Sequence, residues 1–209
     1  MSSSRHFRYG VARYETWYKK YDLLLESEIS AIKMILPVFE KGIEIGAGTG
    51  IFSFLLGIKE GVEPVAEMAL IAQKRGIRIL SAYAENLPLD NESYDFVLMV
   101  TADCFLNDIE KAFHEINRIL VPSGWFMIGF IDRDSNLGQH YENKKATDDF
   151  YRDARFHSAI EISSWLTKTG FALSDSRQTV FTYENTYQEP ILGHGLGGFV
   201  VMKAQKPKR

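Results

Sequence analysis

The segment Glu44-Ile45-Gly46-Ala47-Gly48-Thr49-Gly50 decides how the rest of the chain is read. It ends the short strand-like run 42–46 and precedes the helix-like run Ile51–Leu56. Glycines at such a junction let the backbone turn sharply and let a ligand approach main-chain atoms with no Cβ in the way. In an open α/β sheet this turn lies at the carboxyl end of the first strand, beside the crevice where ligands bind. The dinucleotide fingerprint asks for Gly or Ala three residues after its second glycine. Counted from Gly46 and Gly48, that position is Ile51. The phosphate-loop pattern fails as well, because no Gly-Lys-Ser/Thr follows.

Charge gives a second discriminator. Glu44 stands immediately before the glycines, where a pyrophosphate would meet an anion and be repelled. A ligand carrying an ammonium and a sulfonium but no phosphate would be attracted, and S-adenosylmethionine fits that description. Against this, Glu44 can be a strand-end carboxylate bonded to nearby backbone. Glu63, in Gly61-Val62-Glu63-Pro64, ends the next strand-like run. A carboxylate there can accept from both hydroxyls of a ribose, as in dinucleotide sites, so it indicates ribose without choosing the cofactor. The plain alternative is an acid capping the following helix.

Outward from this core the pattern alternates. Strand-like runs are expected at 58–63, 77–82, 94–101, 125–131, 173–181 and 198–204. Helices are expected at 66–75, stopping at Gly76, at 107–121 and at 160–169. The run 94–101 is nearly continuous in apolar residues, as a strand covered on both faces should be. The stretch 132–157 is polar and reads as a long loop or short excursion. Ahead of the sheet, Tyr14, Trp17, Tyr18, Tyr21, Leu24, Leu25, Ile29, Ile32 and Ile35 recur at helical spacing, giving one or two amphipathic helices. Strand–helix alternation implies a mostly parallel α/β sheet, doubly wound with helices on both faces.

Bulk properties narrow the partners. The 209 residues suit one α/β domain. Lys plus Arg is 24 and Asp plus Glu is 27, a net charge of −3, so the chain lacks the cation surplus that duplex binding needs. The basic tail Lys203, Lys206, Lys208, Arg209 reads as a solvated terminus. Cys104 is the sole cysteine, more a small buried residue than a nucleophile, and excludes an internal disulfide. With no signal-like or membrane-spanning apolar run, a cytoplasmic protein is expected, with no membrane partner.

In these motifs the chain resembles the class I S-adenosylmethionine-dependent methyltransferases, in particular the small-molecule, quinone-biosynthesis-type group. The resemblance covers about 38–135. It rests on Glu44–Gly50, Glu63, Ala84-Glu85-Asn86-Leu87-Pro88, Asp95, Arg118-Ile119-Leu120-Val121-Pro122-Ser123-Gly124 and, more weakly, the late helix ending in Gly170-Phe171. It implies a Rossmann-like seven-stranded sheet of order 3-2-1-4-5-7-6 with the last strand antiparallel. A single domain over 1–209 would divide into an N-terminal helical lid (1–37), a cofactor half (38–135) and a substrate-side half (136–209). It implies S-adenosyl-L-methionine as cofactor, held by Glu44, Gly46, Ala47, Gly48, Gly50, Glu63, Pro64, Ala84, Glu85 and Thr101; no metal is expected, since no His, Cys and Asp cluster has ligand spacing. Two positions depart from the pattern: Tyr83 replaces an aspartate that often holds the adenine amino group, leaving Glu85 or a backbone carbonyl for that bond, and Ser123 replaces a glycine.

The expected activity is methyl transfer to a small-molecule acceptor, with no nucleic-acid partner. Tyr14 and Tyr18 are the substrate-facing candidates, since a phenol has a polar tip, while the same helical spacing equally fits plain packing against the sheet. If the acceptor needs a base, Asp103, Asp132, His140 and His157 lie near strand ends, each more readily a structural or solvated residue. Two rivals remain: a non-catalytic S-adenosylmethionine-binding protein on the same scaffold, and a nicotinamide-dependent oxidoreductase, which Ile51 and Glu44 disfavour.

Overall fold

The computed structural model describes residues 4–147 and 151–208. Two helices, α1 (Ser4–Lys20) and α2 (Asp22–Ile35), precede the sheet. The strands are β1 (Gly42–Ile45), β2 (Glu60–Val62), β3 (Arg78–Leu80), β4 (Tyr94–Val100), β5 (Leu120–Ile131), β6 (Ala172–Thr179), β7 (Ile191–Leu192) and β8 (Phe199–Gln205). They are interleaved with α3 (Ile51–Leu56), α4 (Ala66–Lys74), α5 (Ile109–Ile119), α6 (Asn136–Lys144) and α7 (Ala159–Lys168). One sheet carries all of them in the order β3-β2-β1-β4-β5-β8-β6-β7. β1 to β5 pair in parallel, and β8 lies antiparallel between β5 and β6.

The two faces follow from the period of two along each strand. In β4, Val97 and Met99 join the core beneath α5 and α7, while Phe96, Leu98 and Val100 join the core beneath α2 and α3. β8 repeats the division, with Val200 and Met202 on the first side and Phe199 and Val201 on the second. β4 is thus apolar on both faces, which is why its sequence shows a run instead of an alternation.

The expected strand order holds for the seven strands anticipated, and the sheet gains an eighth. β7 is a two-residue edge strand beside Arg177 and Gln178, too short to leave a periodic signal. The polar stretch 132–157 is not simply a loop: Ser135 caps α6 by accepting from the Gly138 N–H at 2.9 Å. β5 starts at Leu120, ahead of the expected residue 125, because the Pro122-Ser123-Gly124 turn is absorbed as a register shift, with Ser123 at φ +66°. The basic tail is not wholly solvated. Lys206 is buried, its Nζ donating to the carbonyls of Asn117 and Leu120 at 2.8 and 2.7 Å. A cation there satisfies the orphan carbonyls closing α5.

α1 and α2 are fastened to the sheet at both ends. Arg75 donates to Glu15 of α1 (3.0 Å) and to the Thr49 carbonyl of the glycine turn (2.7 Å). Asn185, in the β6–β7 connection, accepts from the Leu23 N–H (3.1 Å) and donates to the Lys20 carbonyl (3.0 Å), clamping the α1–α2 junction. No described helix is long and apolar enough to cross a membrane.

Candidate active site

A cavity of about 440 Å³ opens where the carboxyl ends of β1, β2 and β4 meet α1 and α2. That volume is ordinary for a small-molecule site. Of the residues expected from the sequence, Gly46, Gly48, Glu63, Pro64, Ala84, Glu85, Thr101, Tyr14 and Tyr18 line it. Glu44, Ala47 and Gly50 do not.

Glu44 departs furthest from its expected place. Because Ile43 and Ile45 of β1 face the α5 side, the intervening Glu44 faces α3. There its Oε2 accepts from the Ser53 N–H at 2.9 Å and from the Ser53 hydroxyl. Gly50, at the N-cap of α3, offers no side chain, so Glu44 supplies the missing acceptor. Burial pushes its carboxyl up to about 8, against the opposing pull of the two Ser53 donors. The expected attraction of Glu44 for a cationic ligand therefore has no direct contact to act through.

Glu63 sits in the cavity wall as a bridge. Its Oε2 accepts from the Gly48 N–H and its Oε1 from the Val65 N–H, both at 2.8 Å. Burial raises its carboxyl above the usual range, and the two N–H groups oppose the rise. Each oxygen keeps a lone pair for one further donor, so the pair can take two vicinal hydroxyls. Val65 is the N-cap residue of α4, so Glu63 also serves the beginning of that helix.

The glycines divide by what a side chain would meet. A Cβ on Gly46 would lie 2.5 Å from the Ala102 Cβ, and one on Gly50 would lie 2.9 Å from the Ala72 Cβ. These two serve packing. A Cβ on Gly48 would stand 3.8 Å from Tyr14 Oη and from Met68 Sδ, in space the cavity leaves open. Of the three, Gly48 is the one whose missing Cβ faces open space.

Thr101 and Val180, both in the cavity wall, are β-branched residues at φ +49° and +60°. Such residues rarely adopt that backbone, and strain of this kind collects at ligand sites. Tyr14 and Tyr18 share a hydrogen bond of 3.0 Å between hydroxyls, and burial raises both phenols. Glu85 accepts from the Asn107 N–H at 2.8 Å, tying the segment before α5 to the wall. Tyr83 lines the same end, half exposed.

None of the four candidate bases reaches this cavity. Asp103 is buried against His157 (Oδ2 to Nδ1, 3.0 Å), and His157 faces a separate recess near Trp165. Asp132 Oδ1 accepts from the Ala159 N–H at 3.1 Å, securing the start of α7. His140 packs on the Tyr183 ring, with centroids 4.5 Å apart. Cys104 is buried and burial pushes its thiol well up. Sequence reasoning missed an acid that does line the cavity, Glu28 of α2. Its signal was present: it continues the stripe of Leu24, Leu25, Ile32 and Ile35, a charge on an apolar helix face. The described residues hold no cluster of His, Cys, Asp and Glu able to bind a metal.

A family model for a methyltransferase domain matches residues 43–128. A solved S-adenosylmethionine-dependent methyltransferase of Thermotoga maritima, described as a possible histamine N-methyltransferase, is 43% identical. It superposes with a TM-score of 0.92 over 96% of this chain and 98% of its own. An uncharacterised protein of Methanocaldococcus jannaschii is 40% identical over 92% of this chain and 95% of its own length. One from Mycobacterium tuberculosis is 33% identical over 81% of this chain, which spans 61% of that protein.

Proposed function

The chain belongs to the S-adenosylmethionine-dependent methyltransferases, and from that premise we propose that its methyl acceptor is a small molecule enclosed in the cavity beneath α1 and α2. The observation that carries this reading is the composition of the wall. Beyond Gly48 and Glu63 it continues through Leu24, Tyr151, Val180 and Phe199, a mainly apolar end in which a small acceptor would be surrounded.

The residues present fit the cofactor. Glu63 would take the ribose hydroxyls, Gly48 would present its backbone, and Ala84 with Glu85 would border the base. Gly46, Pro64 and Thr101 complete this end of the wall. When bound, S-adenosylmethionine supplies a methyl group on a positively charged sulfur. The protein's part is to align the acceptor and to exclude water, the two contributions a displacement of this kind most needs. Tyr14, close to Gly48, and its partner Tyr18 would then be the residues to contact the acceptor beside the cofactor, a reading supported by their place in the wall.

Two measurements test the reading. S-adenosylhomocysteine should raise the melting temperature without added metal, as a ligand of the native state does, whereas NADH should not. Incubation with methyl-labelled S-adenosylmethionine should label a component of a small-metabolite extract. Label entering only protein or nucleic acid would overturn the small-molecule acceptor while leaving the cofactor site intact.

A further inference from the structure

We propose that Glu28 is the anchor and proton acceptor for the acceptor substrate, and that this substrate is an organic amine methylated on nitrogen. The inference rests on the small-molecule reading and specifies its chemistry.

Three acids stand in the cavity wall, Glu63 buried and Glu28 and Glu85 partly buried. Two have partners, Glu63 on the Gly48 and Val65 N–H groups and Glu85 on the Asn107 N–H. Glu28 has none: among the described residues no backbone or side-chain group donates to it. An ionised carboxylate in an apolar wall with nothing to pair it is costly, so it takes up a proton unless a cationic ligand completes it. The groups that feel its charge are phenols, Tyr14 and Tyr18 of α1 and Tyr151, each raised by burial and further by it. The wall's cations, Arg13 and Lys20, are exposed.

This setting selects the ligand's charge. An ammonium gains both the carboxylate and the electron-rich faces of Tyr and Trp rings, which favour cations. A carboxylate substrate would leave Glu28 protonated, gain no ion pair there and be repelled once Glu28 or Glu63 ionises. An alcohol of the same skeleton brings no charge with which to form the ion pair. Burial alone pushes the Glu28 carboxyl up to about 8, so with the cavity empty near neutral pH it holds a proton. Arrival of an ammonium displaces that proton and creates the ion pair. A carboxyl tuned upward in this way is also better matched to an amine than an ordinary one.

The balance of the step is simple. The ammonium passes one proton to the Glu28 carboxylate, freeing the nitrogen lone pair. That pair forms the N–C bond as the C–S bond breaks, sulfur keeps the electrons of the broken bond, and Glu28 returns its proton to water.

Calorimetry with the protein saturated in S-adenosylhomocysteine tests the assignment. The probes are benzylamine, 2-phenylethylamine and cyclohexylamine, each beside the alcohol and the carboxylate of the same skeleton. At least one amine should bind saturably, more tightly than its alcohol or carboxylate. Titrations at pH 7 in buffers of differing ionisation enthalpy should show proton release on binding. Glu28→Gln should weaken the amine tenfold to a hundredfold and abolish the release, while Glu28→Asp restores part of both. S-adenosylhomocysteine affinity should stay within twofold in both variants, which separates this proposal from a failure of the cofactor site. No saturable amine, unchanged amine affinity in Glu28→Gln, or preference for an alcohol or carboxylate overturns it.

Discussion

Gly46 and Gly48 share a left-handed backbone, at φ +75° and +54°, yet their missing Cβ atoms face different things. Gly46→Ala drives a methyl to 2.5 Å from the Ala102 Cβ, so overpacking adds to the cost of the left-handed conformation. We expect a loss of about 2–4 kcal/mol in denaturant unfolding. Gly48→Ala meets nothing closer than 3.8 Å and should lose only about 1–2 kcal/mol, the backbone cost. Its methyl enters the cavity, however, so S-adenosylhomocysteine should bind at least tenfold more weakly by calorimetry. Glu63→Ala removes an acceptor that also holds the Gly48 and Val65 N–H groups. Loss of a charged acceptor is worth about 1.5–3 kcal/mol, a tenfold to hundredfold weaker affinity for both adenosine and S-adenosylmethionine. An adenosine affinity equal to wild type would show that Glu63 serves the loop alone.

The elements that close the site are held by few polar contacts, and these are the place to loosen it. The Arg75 guanidinium joins α1, through Glu15, to the glycine turn, through the Thr49 carbonyl. Both partners retain about a fifth of their side-chain exposure, 23% and 20%, so the pair is screened and its stability contribution is about 1 kcal/mol. The larger effect should be local. Arg75→Met should speed amide exchange in the described part of α1 and weaken acceptor binding roughly threefold to tenfold, with a melting temperature nearly unchanged. Exchange confined to the wild-type rate would place the fastening of α1 at the Asn185 clamp instead. The helices themselves were legible as aromatic and aliphatic residues at helical spacing. Their clamp was not, because Asn185 lies more than 160 residues from the backbone groups it holds.

At the scale of the whole molecule, charge and proton linkage set the behaviour. With a net charge of −3, duplex DNA should not be retained at about 150 mM salt, since too few phosphates would be neutralised. Sequence-independent retention below micromolar concentration would contradict the small-molecule reading. Glu44 makes stability pH-dependent. Its folded carboxyl titrates at about 8 against an ordinary value of 4.5, so the native state holds the proton more tightly. The stabilisation is complete below about pH 4.5 and is lost as pH rises through about 8, a change of about 3–5 kcal/mol at full ionisation. Glu44→Gln keeps the shape and cannot ionise. Its denaturation midpoint should gain on wild type from pH 5 to pH 9, and a constant difference across that range would refute the assignment.

The sequence by itself determined the succession of strands and helices and the glycine turn, and the resemblance carried by its motifs implied the sheet order that the structure shows. The first two follow from local constraints: apolar periodicity and residues that permit sharp turns. Only the tertiary structure decided which side chains face the ligand space. Glu44 precedes the glycines yet turns to Ser53, because the side chains of β1 alternate and α3 covers the face it points to. Asp103, Asp132, His140 and His157 stand near strand ends, but none lines the cavity: Asp103 and His157 hold each other, Asp132 holds the start of α7, and His140 packs on Tyr183. Glu28 lies on a helix before the first strand and reaches the cavity because α2 packs against β6 and β8, far along the chain. A residue's chemistry is written in the sequence, whereas its direction depends on which element covers it, and that is fixed only when distant segments pack.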